Sequence, residues 1–345
     1  MTDAAKPSPK DYASSNEVRW CPGCGDYAIL KALQRTLADV EAKTEDVVFV
    51  SGIGCASRLP YYMSTYGFHT IHGRAPAIAT GIKLANPDLN VWVISGDGDA
   101  LAIGGNHFMH LIRRNIDVQF LVFNNEIYGL TKGQFSPTSR VGTRSPSSPK
   151  GCIENPISAA LMALGSGGHF VARAIDSSQK QLIDTLTRAY HYKGTAFVEI
   201  YQNCLVYNDG VFSSFTDKAV ADDMQIHVEH GKPLLFGKDK NKGLRVKPEA
   251  MNIEVVTIGE GGISVDDILV HDETNKVIAT LLADMREPEF PVAIGVLFCK
   301  PGHIFEVEIH KMVENETSEA TCNLNGVLRQ GHTWTVTENS DSERD

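Results

Sequence analysis

The stretch from Val91 to Gly129 constrains this chain more than any other. Val91-Trp92-Val93-Ile94-Ser95 is an apolar run of strand length, and it empties into Gly96-Asp97-Gly98-Asp99. Glycines in such a turn let the backbone approach a ligand closely and point N–H groups at it. A helix-period segment follows from Gly104 to Asn115, then a second apolar strand, Val118–Phe123, then Asn124-Asn125-Glu126-Ile127-Tyr128-Gly129. A strand–helix–strand unit of this kind has parallel strands joined by a right-handed crossover. Asp97 and Asn125 are 28 positions apart, yet both fall just past the C-terminal ends of parallel strands, the rim where open α/β sheets bind ligands. A carboxylate and an amide oxygen converging there suit a hard cation, Mg²⁺ above all, carrying a diphosphate.

The rest of the chain extends the same α/β pattern. Strands are predicted at Val47–Val50, Phe170–Arg173 and Ala196–Tyr201, alternating with helix-period segments. Asp26 to Val40 repeats apolar residues at Ile29, Leu33, Leu37 and Val40, with Asp26 placed to cap it. Asn155-Pro156 and the Ser178/Gln181 pair have the form of two further helix starts. After about Asp209 the composition shifts, and Val277–Met285 is the one clear helix beyond it. The division read from this is a main α/β domain over residues 1–215, a smaller α+β extension over 216–300 and a tail over 301–345. That tail holds nine acidic and three basic residues, so it is expected to be solvated and partly disordered.

Composition excludes several classes. With 42% hydrophobic and 21% charged residues, the chain is neither disordered nor low in core-forming side chains. A formal net charge of −10 argues against nonspecific nucleic-acid binding. No apolar run approaches the roughly 18 residues of a membrane helix, and the first sixteen residues carry no apolar block of a secretory signal. A soluble, cytoplasmic protein is expected.

Seven cysteines in such a chain point to thiol chemistry, metal binding or inert core positions rather than a disulfide framework. Cys21-Pro22-Gly23-Cys24 precedes a helix and could be a redox dithiol or half of a zinc or iron–sulfur site. No strand precedes Cys21, as a thioredoxin-like motif would require. Cys55 and Cys204 each follow a predicted strand directly, at the rim shared with Asp97 and Asn125. Cys299 closes an apolar run and reads as core, Cys152 follows a loop, and Cys322 lies in the tail. The best quartet is Cys21, Cys24, Cys55 and Cys204, and spacing leaves both zinc and [4Fe–4S] open. The loop from Thr131 to Gly151 carries Lys132, Arg140, Arg144 and Lys150, three prolines and no acidic residue. Four unopposed cations predict a basic lid over an anionic ligand.

The Gly96-to-Asn125 arrangement resembles the thiamine-diphosphate-binding motif. That resemblance implies Mg²⁺ held by Asp97, the Asn125 side chain and the Ile127 carbonyl, with Gly98 and Asp99 meeting the diphosphate. A Rossmann site at Gly52-Ile53-Gly54-Cys55 is rejected, because the third glycine is missing and Pro60 interrupts the helix. Taken together, Cys-Pro-Gly-Cys-Gly-Asp at 21–26, Gly-Ile-Gly-Cys at 52–55, His-Gly-Arg-Ala at 72–75, Gly-Asp-Gly-Asp at 96–99 and Asn-Asn-Glu-Ile-Tyr-Gly-Leu-Thr-Lys-Gly-Gln at 124–134 resemble the β subunit of 2-oxoacid:ferredoxin oxidoreductases over about residues 17 to 300. The resemblance implies a thiamine-diphosphate-binding fold with a mostly parallel sheet. It implies that the four cysteines bind [4Fe–4S], which can take electrons singly where zinc has no redox chemistry. It places Ile53, Gly54, Cys55, Ala56, His72, Gly129 and Leu130 along the thiamine, and Lys132 against an anionic substrate or coenzyme A.

The implied activity is oxidative decarboxylation of a 2-oxo acid with coenzyme A and ferredoxin, 2-oxoglutarate to succinyl-CoA before pyruvate; run in reverse, it would fix CO₂, as in a reductive citric-acid cycle. A non-oxidative thiamine enzyme differs from this reading in lacking the iron, and a scaffold with a vestigial site differs in not binding thiamine diphosphate. One diphosphate motif is present, with no room for a second large α/β domain, so the chain is expected to be half an active site. The resemblance implies an α subunit supplying the activating glutamate, in an α₂β₂ assembly. The chain purified alone is therefore expected to bind a cluster without turning over. Oxoacid-dependent viologen reduction by the isolated chain would contradict this.

Overall fold

The computed structural model describes residues 6–250, 252–317 and 323–336, and the chain divides into one unit at Met1–Glu306 and another at Val307–Asp345. An eight-stranded sheet organises the first unit: β1 (Val47–Ser51), β2 (Tyr66–His69), β3 (Asn90–Gly96), β4 (Val118–Asn124), β5 (Phe170–Ile175), β6 (Ala196–Tyr201), β7 (Gln225–Val228) and β8 (Val292–Cys299), in spatial order β2-β1-β3-β4-β6-β5-β8-β7. Every pairing is parallel except β8 with β5. Strands β1, β4 and β5 are buried along their full length, which is why they read as unbroken apolar runs: both faces of a parallel sheet carry helices.

Those helices form two layers. Helices α1 (Asp26–Asp39) and α5 (Gln179–His191) pack through Ile29, Leu33, Leu182 and Leu186 on one face. On the other, α2 (Ala75–Ala85), α3 (Gly105–Arg114), α4 (Ala159–Gly165) and α6 (Lys276–Asp284) pack through Ala79, Phe108, Ala163 and Leu282. The segment 216–300 carries α6 and a three-stranded antiparallel sheet (Leu235–Phe236, Lys242–Lys247, Asn252–Thr257), and it also returns β7 and β8 to the main sheet. A helix at Phe305–Thr317 and a turn of helix at Leu324–Leu328 occupy the region expected as an irregular tail, and Cys322 lies outside the described residues. Among the described residues no helix is long and apolar enough to cross a membrane.

Two expected helix starts differ from the structure, and a third, at Ser178, stands where expected but without its capping bond. Gly25, not Asp26, occupies the cap of α1; Asp26 is the first helical residue, and both its carboxylate oxygens are buried without a hydrogen-bond partner. Helix α4 starts three residues after Pro156, where Ser158 Oγ accepts from Leu161 N. Ser178 caps no N–H of α5, and Gln181 Nε2 instead donates to Arg173 O at 3.1 Å and Thr185 Oγ1 at 2.9 Å.

Beneath the site lies a buried ion pair. Arg173 Nε on β5 meets Glu199 Oε2 on β6 at 2.9 Å, with both side chains at most 5% exposed. Removing one partner leaves the other charge uncompensated in the core. Glu199→Ala is expected to lower stability by about 3–5 kcal/mol in urea unfolding; a loss below about 1 kcal/mol, the range of a solvated pair, would show that water compensates Arg173.

Candidate functional site

The C-terminal ends of β3 and β4 meet, as Gly96 pairs with Phe123 in register. Past that point one chain delivers Asp97 and the other Asn125 and Ile127 into the same cleft, which is also lined by Ile53, Gly54, Cys55, Ala56 and His72 from the segment after β1 and its neighbour, and by Gly98, Asp99, Gly129 and Leu130. All the residues expected along thiamine, diphosphate and Mg²⁺ therefore share one wall. The enclosed space is about 80 Å³, well below the roughly 300–1,000 Å³ of a pocket that engulfs a cofactor-sized ligand.

A loop clamps its two halves together. Ser136 Oγ and Thr138 Oγ1 donate to Asp97 Oδ2 at 2.5 and 2.6 Å, and Thr138 Oγ1 also lies 3.0 Å from Asn124 Oδ1. Asn124 Nδ2 donates to Glu199 Oε1 at 2.9 Å, linking the clamp to the buried ion pair. Burial raises the Asp97 pKa, and the Ser136 and Thr138 hydroxyls oppose that rise. Ser139 Oγ donates to Glu126 O at 2.5 Å, and Arg140 Nε meets Glu126 Oε2 at 3.1 Å. Glu126 is thus held at a left-handed φ of 56° between Asn125 and Ile127; burial pushes its carboxyl up to about 7 against the pull of Arg140.

One expectation needs correction here. Arg140 is not an unopposed cation: Glu126 and Glu287 both pair with it, Glu287 Oε1 at 2.6 Å. The basic character of the loop rests on Lys132, Arg144 and Lys150, which are exposed. Lys132 stands at φ 76° in the turn that follows Leu130 and Thr131 at the edge of the cleft. The Asp99 carboxylate, for its part, is committed to protein: Oδ1 accepts from Ile53 N at 3.0 Å and Gly73 N at 2.7 Å, and Oδ2 from Ser95 Oγ at 2.5 Å. It fastens the 52–53 and 73 loops. His72 Nδ1 lies 3.6 Å from Asp99 Oδ1 and has no hydrogen-bond partner.

The close approach expected of Gly98 has a specific cause. A Cβ there would come within 2.2 Å of the Tyr128 ring, whose hydroxyl donates to Gly98 O at 2.9 Å. Gly52 is equally confined, since its Cβ would lie 1.9 Å from Asp99 Oδ2.

Against the same wall lies a second cavity of about 190 Å³, lined by Cys21, Cys24, Cys55 and Cys204 and sharing Cys55, Asn125, Gly129 and Leu130 with the cleft. Its volume exceeds several times the ~30 Å³ share of one water. Gly129 forms the partition, because a Cβ on it would stand 3.4 Å from Cys204 Sγ and 3.7 Å from Cys55 Sγ. Burial, with the Asp26 carboxylate and Cys204 nearby, pushes the Cys55 thiol up to about 12 and raises Cys24 as well. Burial raises Cys204 too, while the backbone N–H groups of Val206, Tyr207 and Asn208 favour its thiolate. The thiols of Cys24, Cys55 and Cys204, made reluctant to ionise chiefly by burial and further by the Asp26 carboxylate, are donors that a cationic centre would relieve. Among the described residues no three His, Cys, Asp or Glu groups stand close enough to hold a single metal ion. Cys152 is buried in the loop and Cys299 half-buried at the end of β8, both apart from this cavity.

Sequence reasoning missed Ser136, Thr138 and Gln202. Gln202 follows β6 directly and is 1% exposed, with its side chain between Asn125 and Cys24. Its position two residues before Cys204 was the only available signal.

Residues 52–200 match the family described as thiamine pyrophosphate enzyme, C-terminal TPP binding domain. The chain is 51% identical over 333 residues to the 2-oxoglutarate oxidoreductase subunit KorB of Mycobacterium tuberculosis, covering 95% of this chain and 88% of that one. It is 48% identical over 190 residues to subunit beta of 2-oxoacid:ferredoxin oxidoreductase 1 of Aeropyrum pernix, covering 55% of this chain and 60% of that one. Among solved structures, a chain of the 2-oxoglutarate:ferredoxin oxidoreductase from Magnetococcus marinus, with 2-oxoglutarate, coenzyme A and succinyl-CoA bound, superposes with a TM-score of 0.76 at 30% identity, covering 96% of this chain and 98% of that one.

The clamp makes a prediction of its own. Thr138→Val removes a buried donor shared by Asp97 and Asn124, and is expected to cost about 1–3 kcal/mol in urea unfolding. A neutral substitution would show that Ser136 alone holds Asp97.

Proposed function

The chain belongs to the β subunits of the 2-oxoacid:ferredoxin oxidoreductases, and from that membership we propose that it oxidatively decarboxylates 2-oxoglutarate to succinyl-CoA, with coenzyme A as acyl acceptor and ferredoxin as electron acceptor. It is an enzyme subunit that works with partner subunits. The observation that carries the reading is the shared wall: Cys55, Asn125, Gly129 and Leu130 face the cofactor cleft on one side and the four thiols on the other. An oxidation at a thiamine centre that delivers its two electrons to ferredoxin must pass them one at a time, and this geometry supports an adjacent one-electron acceptor.

In this reading Asp97, the Asn125 side chain and the Ile127 carbonyl hold Mg²⁺, and Cys21, Cys24, Cys55 and Cys204 hold [4Fe–4S]. Thiamine diphosphate, when bound, supplies a carbon nucleophile and electron sink for decarboxylation, and the cluster supplies single-electron steps. The chain's own residues do the positioning. Ser136 and Thr138 orient the Asp97 carboxylate, Asp99 fixes the loops at 52–53 and 73, and the close Gly98–Tyr128 packing leaves backbone rather than side chain against a diphosphate. The small volume on this side of the cleft supports an α subunit closing the other side and supplying the activating glutamate, in an α₂β₂ assembly.

The choice of 2-oxoglutarate over pyruvate has two supports. The relative from Mycobacterium tuberculosis and the Magnetococcus structure both carry 2-oxoglutarate in their names. Lys132, exposed next to the cleft-lining Thr131, is in this reading the cation that meets the second carboxylate or an anionic group of coenzyme A.

The test is anaerobic purification of the chain with its α subunit, followed by iron and sulfide analysis, low-temperature EPR after dithionite, and coenzyme-A-dependent ferredoxin reduction with each 2-oxo acid. About four irons per chain, a reduced-cluster signal lost in Cys204→Ala, and a higher kcat/KM for 2-oxoglutarate than for pyruvate are expected. Zinc in place of iron would overturn the oxidative mechanism, and a preference for pyruvate would overturn the substrate.

A further inference from the structure

We propose that Gln202 is a positioning residue that couples the two halves of the site, holding the Asn125 amide at the cofactor cleft and, through an N–H···S hydrogen bond to Cys24, setting the reduction potential of the cluster. The inference rests on the reading of the four thiols as [4Fe–4S] ligands.

Gln202 sits where the β4–β6 ladder runs out. Its backbone N–H donates to Asn124 O at 2.9 Å, continuing the sheet by one residue and fixing the start of its side chain. Beyond that start, each polar atom has a partner. Oε1 accepts from Asn125 Nδ2 at 2.7 Å, while Nε2 donates to Asn203 O at 2.5 Å and lies 3.4 Å from Cys24 Sγ. The amide orientation follows from its neighbour. Asn125 Oδ1 accepts from Ile127 N at 3.2 Å, so Asn125 presents its NH₂ to Gln202 and requires an acceptor there. That requirement turns the Gln202 NH₂ toward the sulfur.

An amide at a 1% exposed position is costly unless its hydrogen bonds are made, and an apolar side chain of the same length would fill the space without that demand. The space is also tight: a Cβ on Gly25 would lie 3.0 Å from Gln202 Cγ. The amide is thus locked in one pose between an expected Mg²⁺ ligand and an expected cluster ligand. Two effects follow. Hydrogen bonds to cluster sulfurs favour the more electron-rich, reduced state and raise the potential. Hydrogen bonds to a metal ligand hold it in the binding orientation, and their loss typically costs 10–100-fold in metal affinity.

Two substitutions separate these effects. Gln202→Leu removes both contacts; Gln202→Glu keeps an acceptor for Asn125 and replaces the N–H donor to sulfur with a carboxylate oxygen. Both are made in the complex with the α subunit, and three quantities are measured: iron content, cluster midpoint potential by EPR redox titration, and half-saturation for Mg²⁺ with thiamine diphosphate by calorimetry. The midpoint is expected to move negative in both variants at unchanged iron content, with cofactor affinity falling roughly tenfold or more in Gln202→Leu only. If Gln202→Leu does not assemble, the potential of Gln202→Glu carries the test. A wild-type cluster whose midpoint is unmoved by either substitution overturns this proposal alone. A wild-type complex with no reduced-cluster signal overturns the reading beneath it and this proposal with it.

Discussion

The parallel pairing of β3 with β4 is the constraint on which everything else depends. Register along that ladder, Val91 with Val118 through Gly96 with Phe123, brings the two strands to the same height before either turns away. An antiparallel partner would place Asn125 at the opposite edge of the sheet from Asp97. A shift of one residue would reverse which face Asn124 and Asn125 address. Burial of both strands on both faces locks the register, since slippage would disturb packing in both helical layers at once.

That constraint also explains why two cavities share one wall. Strands β1, β3, β4 and β6 are consecutive in the sheet, so the segments leaving their C-terminal ends crowd the same rim. Those segments carry Cys55, Asp97, Asn125 and Cys204. With Cys21 and Cys24 delivered by the approach to α1, the thiols line a second cavity directly behind the residues of the cofactor cleft. Gly129 lies in that shared wall directly against two of the thiols: a Cβ on it would stand in van der Waals contact with Cys204 Sγ and Cys55 Sγ.

Much of this was legible in the sequence, for a physical reason. Buried parallel strands are short apolar runs, and the glycines and polar residues at their ends stand out against them, so β3, β4 and β6 and the rim residues Asp97, Asn125, Cys55 and Cys204 can be placed from pattern alone. What pattern cannot reach is pairing between distant segments. Arg140 looks unopposed within its loop, but its counter-charges arrive from residue 126 and from Glu287, beyond helices α4, α5 and α6 and several strands. Asp26 satisfies every local rule for a helix cap and is instead buried one position inside, facing the thiols. Strand β2 is exposed at each residue and so shows no apolar run at all. Strand β8 is apolar enough to see, but its antiparallel insertion between β5 and β7 depends on what the rest of the sheet leaves open.

The lid loop shows how these levels join. From the sequence, its four cations pointed to an anionic ligand. In the fold the roles divide: Ser136, Thr138, Ser139 and Arg140 face inward and bind Asp97, Asn124 and Glu126, whereas Lys132, Arg144 and Lys150 remain at the surface. The inward set is what permits the outward one. Each buried hydroxyl bond made to the cleft fixes a piece of loop backbone that would otherwise carry its full conformational entropy, and a loop anchored at 136–140 can present Lys132 at the cleft edge without depending on a ligand for its order. The same anchoring leaves Asp97 with hydrogen bonds on Oδ2, so a cation at the cleft meets a carboxylate whose orientation has already been set by protein.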